Sequence, residues 1–85
     1  VAPNMITGWA HYYLGQCMEH QGHFDKAVVE YSEAMRLLPE NHSLYRDLGR
    51  AMLKCGDRDG ARRNLKICLE RHPGDRGAKS LLREI

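Results

Sequence analysis

A chain of 85 residues, 42% hydrophobic and 28% charged, has room for one small soluble-type domain and no second core. No apolar run approaches the roughly 18–20 residues that span a bilayer, and a net charge of +2 selects no partner class by itself. Cys17, Cys55 and Cys68 cannot all pair and none stands at C-x-x-C spacing, which suits a reducing compartment, so the chain is expected to be cytoplasmic. The opening VAPNMITG has neither the basic start and apolar stretch of a signal peptide nor an initiator Met, and a piece of a longer protein is the simplest expectation.

Along the chain, Met5, Ile6, Trp9, Ala10 and Tyr13 come first as an apolar cluster that no later segment is evidently placed to cover. Three accounts stand: a preceding helix or repeat in a parent protein, self-association, or residues 1–6 folding back. Thr7 is placed to cap a helix in which Ala10, Leu14, Cys17 and Met18 follow i, i+4, i+7, i+8 spacing, with Gly22 ending it in the left-handed region. A second helix starts near Phe24 and runs through Ala27, Tyr31, Ala34 and Met35 until Pro39 forbids continuation. Asn41 caps a third, carrying Leu44, Leu48, Ala51 and Met52 and ending at Gly56. A fourth starts near Asp59, holds Ala61, Leu65, Cys68 and Leu69, and stops at Pro73. Gly60 is its weak spot, costing about 1 kcal/mol relative to Ala. After Asp75, a third capping residue, the segment RGAKSLLREI can form one more helix. Ala78, Leu81, Leu82 and Ile85 can cover what precedes. Lys79 and Arg83 fall where earlier helices place Tyr45 and Gly49, so this helix reads as a solvating end cap.

These elements repeat. LGQCMEHQGHFDKA (14–27) returns as LGRAMLKCGDRDGA (48–61), and Leu14, Gly15, Met18, Gly22 and Ala27 reappear 34 residues later. Tyr31, Ala34, Met35 and Pro39 answer to Leu65, Cys68, Leu69 and Pro73, and Thr7, Asn41 and Asp75 recur at the same interval. Each unit is thus a helix, a tight turn and an antiparallel helix, with Gly15, Ala27 and Ala34 small where the paired backbones approach. The charges divide between units. Residues 8–41 carry two Lys or Arg against five Asp or Glu, net −3, and residues 42–75 carry eight against five, net +3.

The order L-G-x6-G-x-F-x2-A-x3-Y-x2-A-M-x3-P over residues 14–39 resembles a tetratricopeptide repeat. The resemblance covers repeat 1 (8–41), repeat 2 (42–75) and a partial third, the capping helix 76–85. It departs at His11, where the family favours Trp, at Arg58, where an aromatic is usual, and at Cys68, where Ala is usual. It implies an all-α solenoid of antiparallel helix pairs and a non-catalytic protein-interaction module.

Chemistry has little support beside this. Cys17, His20 and His23 invite a metal reading, but His23 lies past Gly22 and no fourth ligand is evident. CGDRDGA has the look of a calcium loop, yet its first and twelfth ligands would be Cys55 and Lys66, and a lysine cannot replace a bidentate glutamate. No nucleophile elbow, phosphate-cradling loop or apolar carboxylate pair is present. No metal, cofactor or catalytic residue is expected.

The resemblance further implies a concave groove lined by the first helix of each unit: Trp9, Tyr12, Gln16 and Glu19, then Ser43, Arg46, Arg50 and Leu53. Arg46, Arg50 and Lys54 stand at i, i+4, i+8 and form a basic stripe suited to an acidic peptide, unless it pairs with Asp47 or Asp57 as an ordinary solvated face. The carboxylate clamp of chaperone-binding relatives is not matched: Tyr12, Gln16, Asp47, Gly77 and Leu81 occupy its five places. With two repeats the groove is shallow, and affinity on the order of micromolar or poorer is expected. The competing expectation is assembly through Met5, Ile6, Trp9 and Tyr13, as a homo-oligomer or onto preceding repeats. Nucleic-acid binding through the basic half is weaker still, because the aromatics lie mostly in the acidic half.

Overall fold

The computed structural model describes residues 3–85, an all-α chain of five helices. They are α1 (Pro3–His20), α2 (Phe24–Leu37), α3 (His42–Lys54), α4 (Arg58–Arg71) and α5 (Arg76–Arg83). α1 packs on α2 and α3 on α4 as pairs, α2 joins the pairs through α3, and α5 closes over α4.

Both pairs turn by the same device. Gly22 and Gly56 have φ of 83° and 90°, where an L side chain is strained. The His23 N–H donates to the Met18 carbonyl at 2.8 Å and the Asp57 N–H to the Met52 carbonyl at 2.9 Å. With Gly22→Glu19 and Gly56→Leu53 bonds alongside, each is a Schellman motif that satisfies carbonyls the helix end would otherwise leave open.

Two of the three expected caps form. The Asn41 side chain accepts from the Ser43 N–H at 3.0 Å and the Asp75 side chain from the Ala78 N–H at 3.0 Å. Thr7 does not cap: α1 begins at Pro3, and Thr7 lies inside it. α4 starts one residue before the expected Asp59, because Asp57 caps it through the Gly60 N–H at 2.9 Å. Gly60 is therefore less a weak spot than a requirement. It is buried, and a Cβ there would crowd the Asp57 carboxyl and come within 3.0 Å of Met52 Sδ.

The close approaches fall where small residues were expected. A Cβ on Gly15 would lie 2.7 Å from two Tyr31 ring carbons, and one on Gly49 would lie 2.8 Å from Leu65. Ala27, Tyr31 and Ala34 meet Leu44, Leu48 and Ala51 in one buried cluster that fuses the two pairs. Tyr45, Leu65, Cys68 and Ala78 form a second, with Leu81, Leu82 and Ile85 packed on it. Full burial of a leucine such as Leu44 or Leu65 contributes about 1.5–3 kcal/mol. Lys79 and Arg83 on α5 face solvent while Ala78 is buried, as befits a capping helix.

The equivalent faces of α1 and α3 meet different fates. Leu44, Leu48 and Ala51 are buried against the first pair, whereas Ala10, Leu14 and Cys17, the same register 34 residues earlier, are exposed. Cys17, part of the helical spacing of α1, lies in this exposed face, which no helix pair among the described residues covers. Met5, Ile6, Trp9 and Tyr13 are exposed beside it. Residues 3–6 continue α1 and do not fold back over the cluster; residues 1 and 2, which that expectation also included, lie outside the described residues.

Candidate functional site

The side chains of α1 and α3 meet across the junction between the pairs. Gln16, Glu19 and His20 of α1 and Arg50 and Lys54 of α3 surround a pocket of about 250 Å³. Its floor is a polar network. Arg50 grips Glu19 with both arms of its fork, Nε to Oε2 at 2.5 Å and a terminal nitrogen to Oε1 at 2.9 Å. Tyr31 donates its hydroxyl proton to Glu19 Oε1 at 2.7 Å. Arg50 also reaches Asp47 Oδ1 at 3.2 Å, and Arg46 bonds Asp47 Oδ1 at 3.3 Å and Asp75 Oδ2 at 3.2 Å. Such forked, charge-assisted bonds are shorter and stronger than neutral ones.

The ionisation of these groups follows the network. Burial works against the Glu19 carboxylate, yet hydrogen bonds from Arg50 and Tyr31 outweigh it and hold its pKa below the ordinary value. Tyr31 moves the other way, raised by burial and by the bond to Glu19. Hydrogen bonding to Glu19, opposed by burial, strengthens the charge on Arg50. Burial opposes the charge on Arg46, but Asp47 and Asp75 prevail and raise its pKa. Asp75 is depressed against burial by the Ala78 N–H, the Cys68 thiol and Arg46. Burial and the bond to Asp75 push the Cys68 thiol up to about 12.

Not every expected lining residue joins this pocket. Gln16, Glu19, Arg50 and Lys54 do. Tyr12 stands beside it, accepting from Gln16 Nε2 at 3.0 Å. Leu53 and Ser43 are partly buried and outside it. Arg46 points toward Asp75 at the start of α5. Trp9 borders a separate, mostly apolar cleft of about 410 Å³ with Met5, Leu37, Leu38 and Pro39. The basic stripe is not a row of free cations: Arg46 and Arg50 are paired as above, and Lys54 Nζ sits 5.0 Å from the Phe24 ring centroid. Pairing with Asp47 was the bland alternative, and for both arginines it forms.

Sequence reasoning missed Tyr31 as a polar member, His20 as a pocket wall and Asp75 as a second partner for Arg46. Tyr31 reads as core, and its ring is indeed wholly buried, but only its hydroxyl reveals the second role. For Asp75 a signal existed in its capping position, which fixes it near the start of α3 once α5 packs back. Among the described residues no group of three His, Cys, Asp or Glu comes together to hold a metal, and no helix is long and apolar enough to cross a membrane.

A family model of the tetratricopeptide repeat matches residues 8–41. The chain is also 43% identical over 65 residues to a TPR repeat-containing protein of Pseudomonas aeruginosa, a stretch that is 76% of this chain and 26% of that protein. The chain thus spans about a quarter of the length of the relative it matches. With its first unit matched, its second repeating the skeleton at an offset of 34 and both folded as helix pairs, the chain belongs to the tetratricopeptide repeat family.

Proposed function

We propose that the chain is a non-catalytic interaction module that holds an extended partner segment along the concave junction of α1 and α3. The observation that carries this is the convergence of Gln16 and Glu19 from one pair with Arg50 and Lys54 from the other around one pocket. The donors and acceptors are set by packed helices and ion pairs, so little order is lost when a segment docks. An acidic segment, the class the basic stripe suggested, would have to compete with Glu19 for the Arg50 fork. Amide resonances of Gln16, Glu19, Arg50 and Lys54 should shift together when a peptide library is titrated, and a Gln16→Ala/Lys54→Ala variant should bind less. Binding that leaves those resonances still would place the working surface elsewhere.

A second reading has its own observation. Ala10, Leu14 and Cys17 occupy the register that Leu44, Leu48 and Ala51 use to pack on α1 and α2. Together with Met5, Ile6, Trp9 and Tyr13 they form an apolar face suited to another helix pair, in a longer array or a second copy. Sedimentation over a wide concentration range separates the readings: a monomer throughout rules out the second copy.

A further inference from the structure

α3 sits on the first pair through Leu44, Leu48 and Ala51, which meet Ala27, Tyr31 and Ala34 of α2. α5 takes the equivalent seat on α4. Its Ala78, Leu82 and Ile85 stand 34 residues further on and pack with Leu65 and Cys68, beside Tyr45 of α3. α1 carries the same register as Ala10, Leu14 and Cys17, and there it is exposed. Tyr13, 58% exposed, is the counterpart of Leu81, which also packs on the α4 seat. One end of the chain thus offers an uncovered helix face of the kind that the seat at the other end receives, and α5 fills that seat.

α5 is the weaker of the two candidates for the seat. It has 8 residues against 18 in α1, and so short a helix keeps its form only through packing, at a chain end where local opening costs least. It also ends a stack, because Lys79 and Arg83 stand where a following helix would pack, whereas α1 brings α2 with it. Charge admits the exchange. In the native junction Glu19 of α1 faces Arg50 of α3. Where α3 of one copy met α1 of another, Leu53 would hold the Glu19 place and Gln16 the Arg50 place, so that seam strands no ion. Trp9 falls at the Gly77 place, where a Cβ stands 2.9 Å from Arg46 Cδ. The long Arg46 side chain must turn there, and an indole offers its guanidinium a face to stack on.

We propose that the exposed face of α1 docks on α4 of a second copy of this chain by displacing that copy's α5, so that copies join head to tail and α5 holds the monomer closed. This rests on the second reading above, and it names the copy as the partner and α4 as the seat. The exchange trades like for like. Ala10, Tyr13, Leu14 and Cys17 are covered as Leu81, Leu82 and Ile85 are released, so association is weak and set by concentration. The joint is heterologous, and each added copy presents a fresh α1 face.

The test is sedimentation velocity of the full 85-residue protein from low micromolar to near-millimolar concentration, as wild type, Leu82→Asp, Leu14→Asp and the double variant. A charge at Leu82 loosens α5 and leaves the α4 side of the seat unchanged. A larger fraction of copies is then open, and the apparent affinity should rise in proportion, by about tenfold. Leu14→Asp should be monomeric, and so should the double variant, which separates docking through α1 from mere adhesion of a released α5. Ile85→Asp, at the last residue, should act in the same direction and carries the test should Leu82→Asp not fold. Association that both α5 variants leave unchanged or weaken, yet Leu14→Asp abolishes, overturns the displacement and keeps the α1 face as the surface. Association that survives Leu14→Asp, or a monomer in every variant, overturns this proposal and the second-copy reading together.

Discussion

Replacing Gly15 by alanine separates two effects of opposite sign. Within a helix, alanine is favoured over glycine by about 1 kcal/mol, so on backbone grounds the variant gains. The structure predicts a net loss. The new Cβ would stand 2.7 Å from Cδ1 and Cε1 of Tyr31, well inside the roughly 3.5–4.0 Å at which carbon atoms pack favourably. A methyl against a flexible leucine tip is absorbed by a rotamer change, but Tyr31 is wholly buried and its hydroxyl is held by Glu19 at 2.7 Å. Overpacking of this kind costs about 1–3 kcal/mol, and loosening the Tyr31–Glu19 bond adds on the order of 1 kcal/mol. Set against the alanine gain, a net destabilisation of about 1–3 kcal/mol remains. For a domain of this size each kcal/mol lowers Tm by about 4–8 °C, so the melt followed by far-UV circular dichroism should fall by roughly 4–24 °C. In a Tyr31→Phe background, where the ring is free to retreat, Gly15→Ala should cost less. A Gly15→Ala variant as stable as the parent would refute the argument, since it would mean that the helices can part there without loss.

The acid limb of the stability profile should trace Glu19 and Asp75. Both have folded-state pKa values below their ordinary 4.5 and 3.8, so the stability they confer is present above those values and is lost as pH falls through the depressed ones. Tm should therefore hold steady down to about pH 5 and drop below it, and the drop should be shallower in Glu19→Gln. Thiol titration with a bulky aromatic disulfide should label Cys17 and Cys55 in the native protein and Cys68 only after unfolding, because Cys68 is buried and its thiol titrates near 12. Leu14→Ala should change stability by no more than about 0.5 kcal/mol, whereas Leu48→Ala, the same register one unit later, should cost about 2–5 kcal/mol by urea denaturation. Asn41→Ala should lose about 1 kcal/mol through the cap on α3.

The helices were legible because their signals are local. Gly22 and Gly56, Pro39 and Pro73, and the caps Asn41 and Asp75 each act within a few residues, and each ends or starts a helix as expected. Thr7 misled because a capping side chain is only permissive: the residues before it are helical, and nothing in Thr7 forbids the helix from continuing upstream. The groove was half legible. The helix faces expected to line it followed from the family resemblance, but their charge state did not, since Arg50 and Glu19 are 31 residues apart and belong to no shared pattern along the chain. An i, i+4, i+8 row of cations looks the same in sequence whether it faces solvent or a row of carboxylates on the next helix. Gly60 shows the same limit at shorter range: propensity alone marks it as a defect, and only the folded turn reveals the carboxyl and thioether against it.

The Glu19–Arg50 pair also bears on how such a chain can be rebuilt by duplication. The two units share a backbone, so either could be copied at the 41/42 or 75/76 junction without disturbing a turn. Their junction chemistry does not copy. The counterpart of Arg50 in the first unit is Gln16, and the counterpart of Glu19 in the second is Leu53. A second copy of residues 8–41 placed after the first would set Glu19 against a glutamine, and a second copy of 42–75 placed after the original would set its arginine against a leucine. At the first misordered seam Glu19 would keep the Tyr31 hydroxyl but lose its cation, and at the second the arginine would keep Asp47 of its own unit but lose the forked bond to Glu19. The pair thus acts as an address written across the junction, and the order of the units is encoded in two side chains that the repeat itself does not contain.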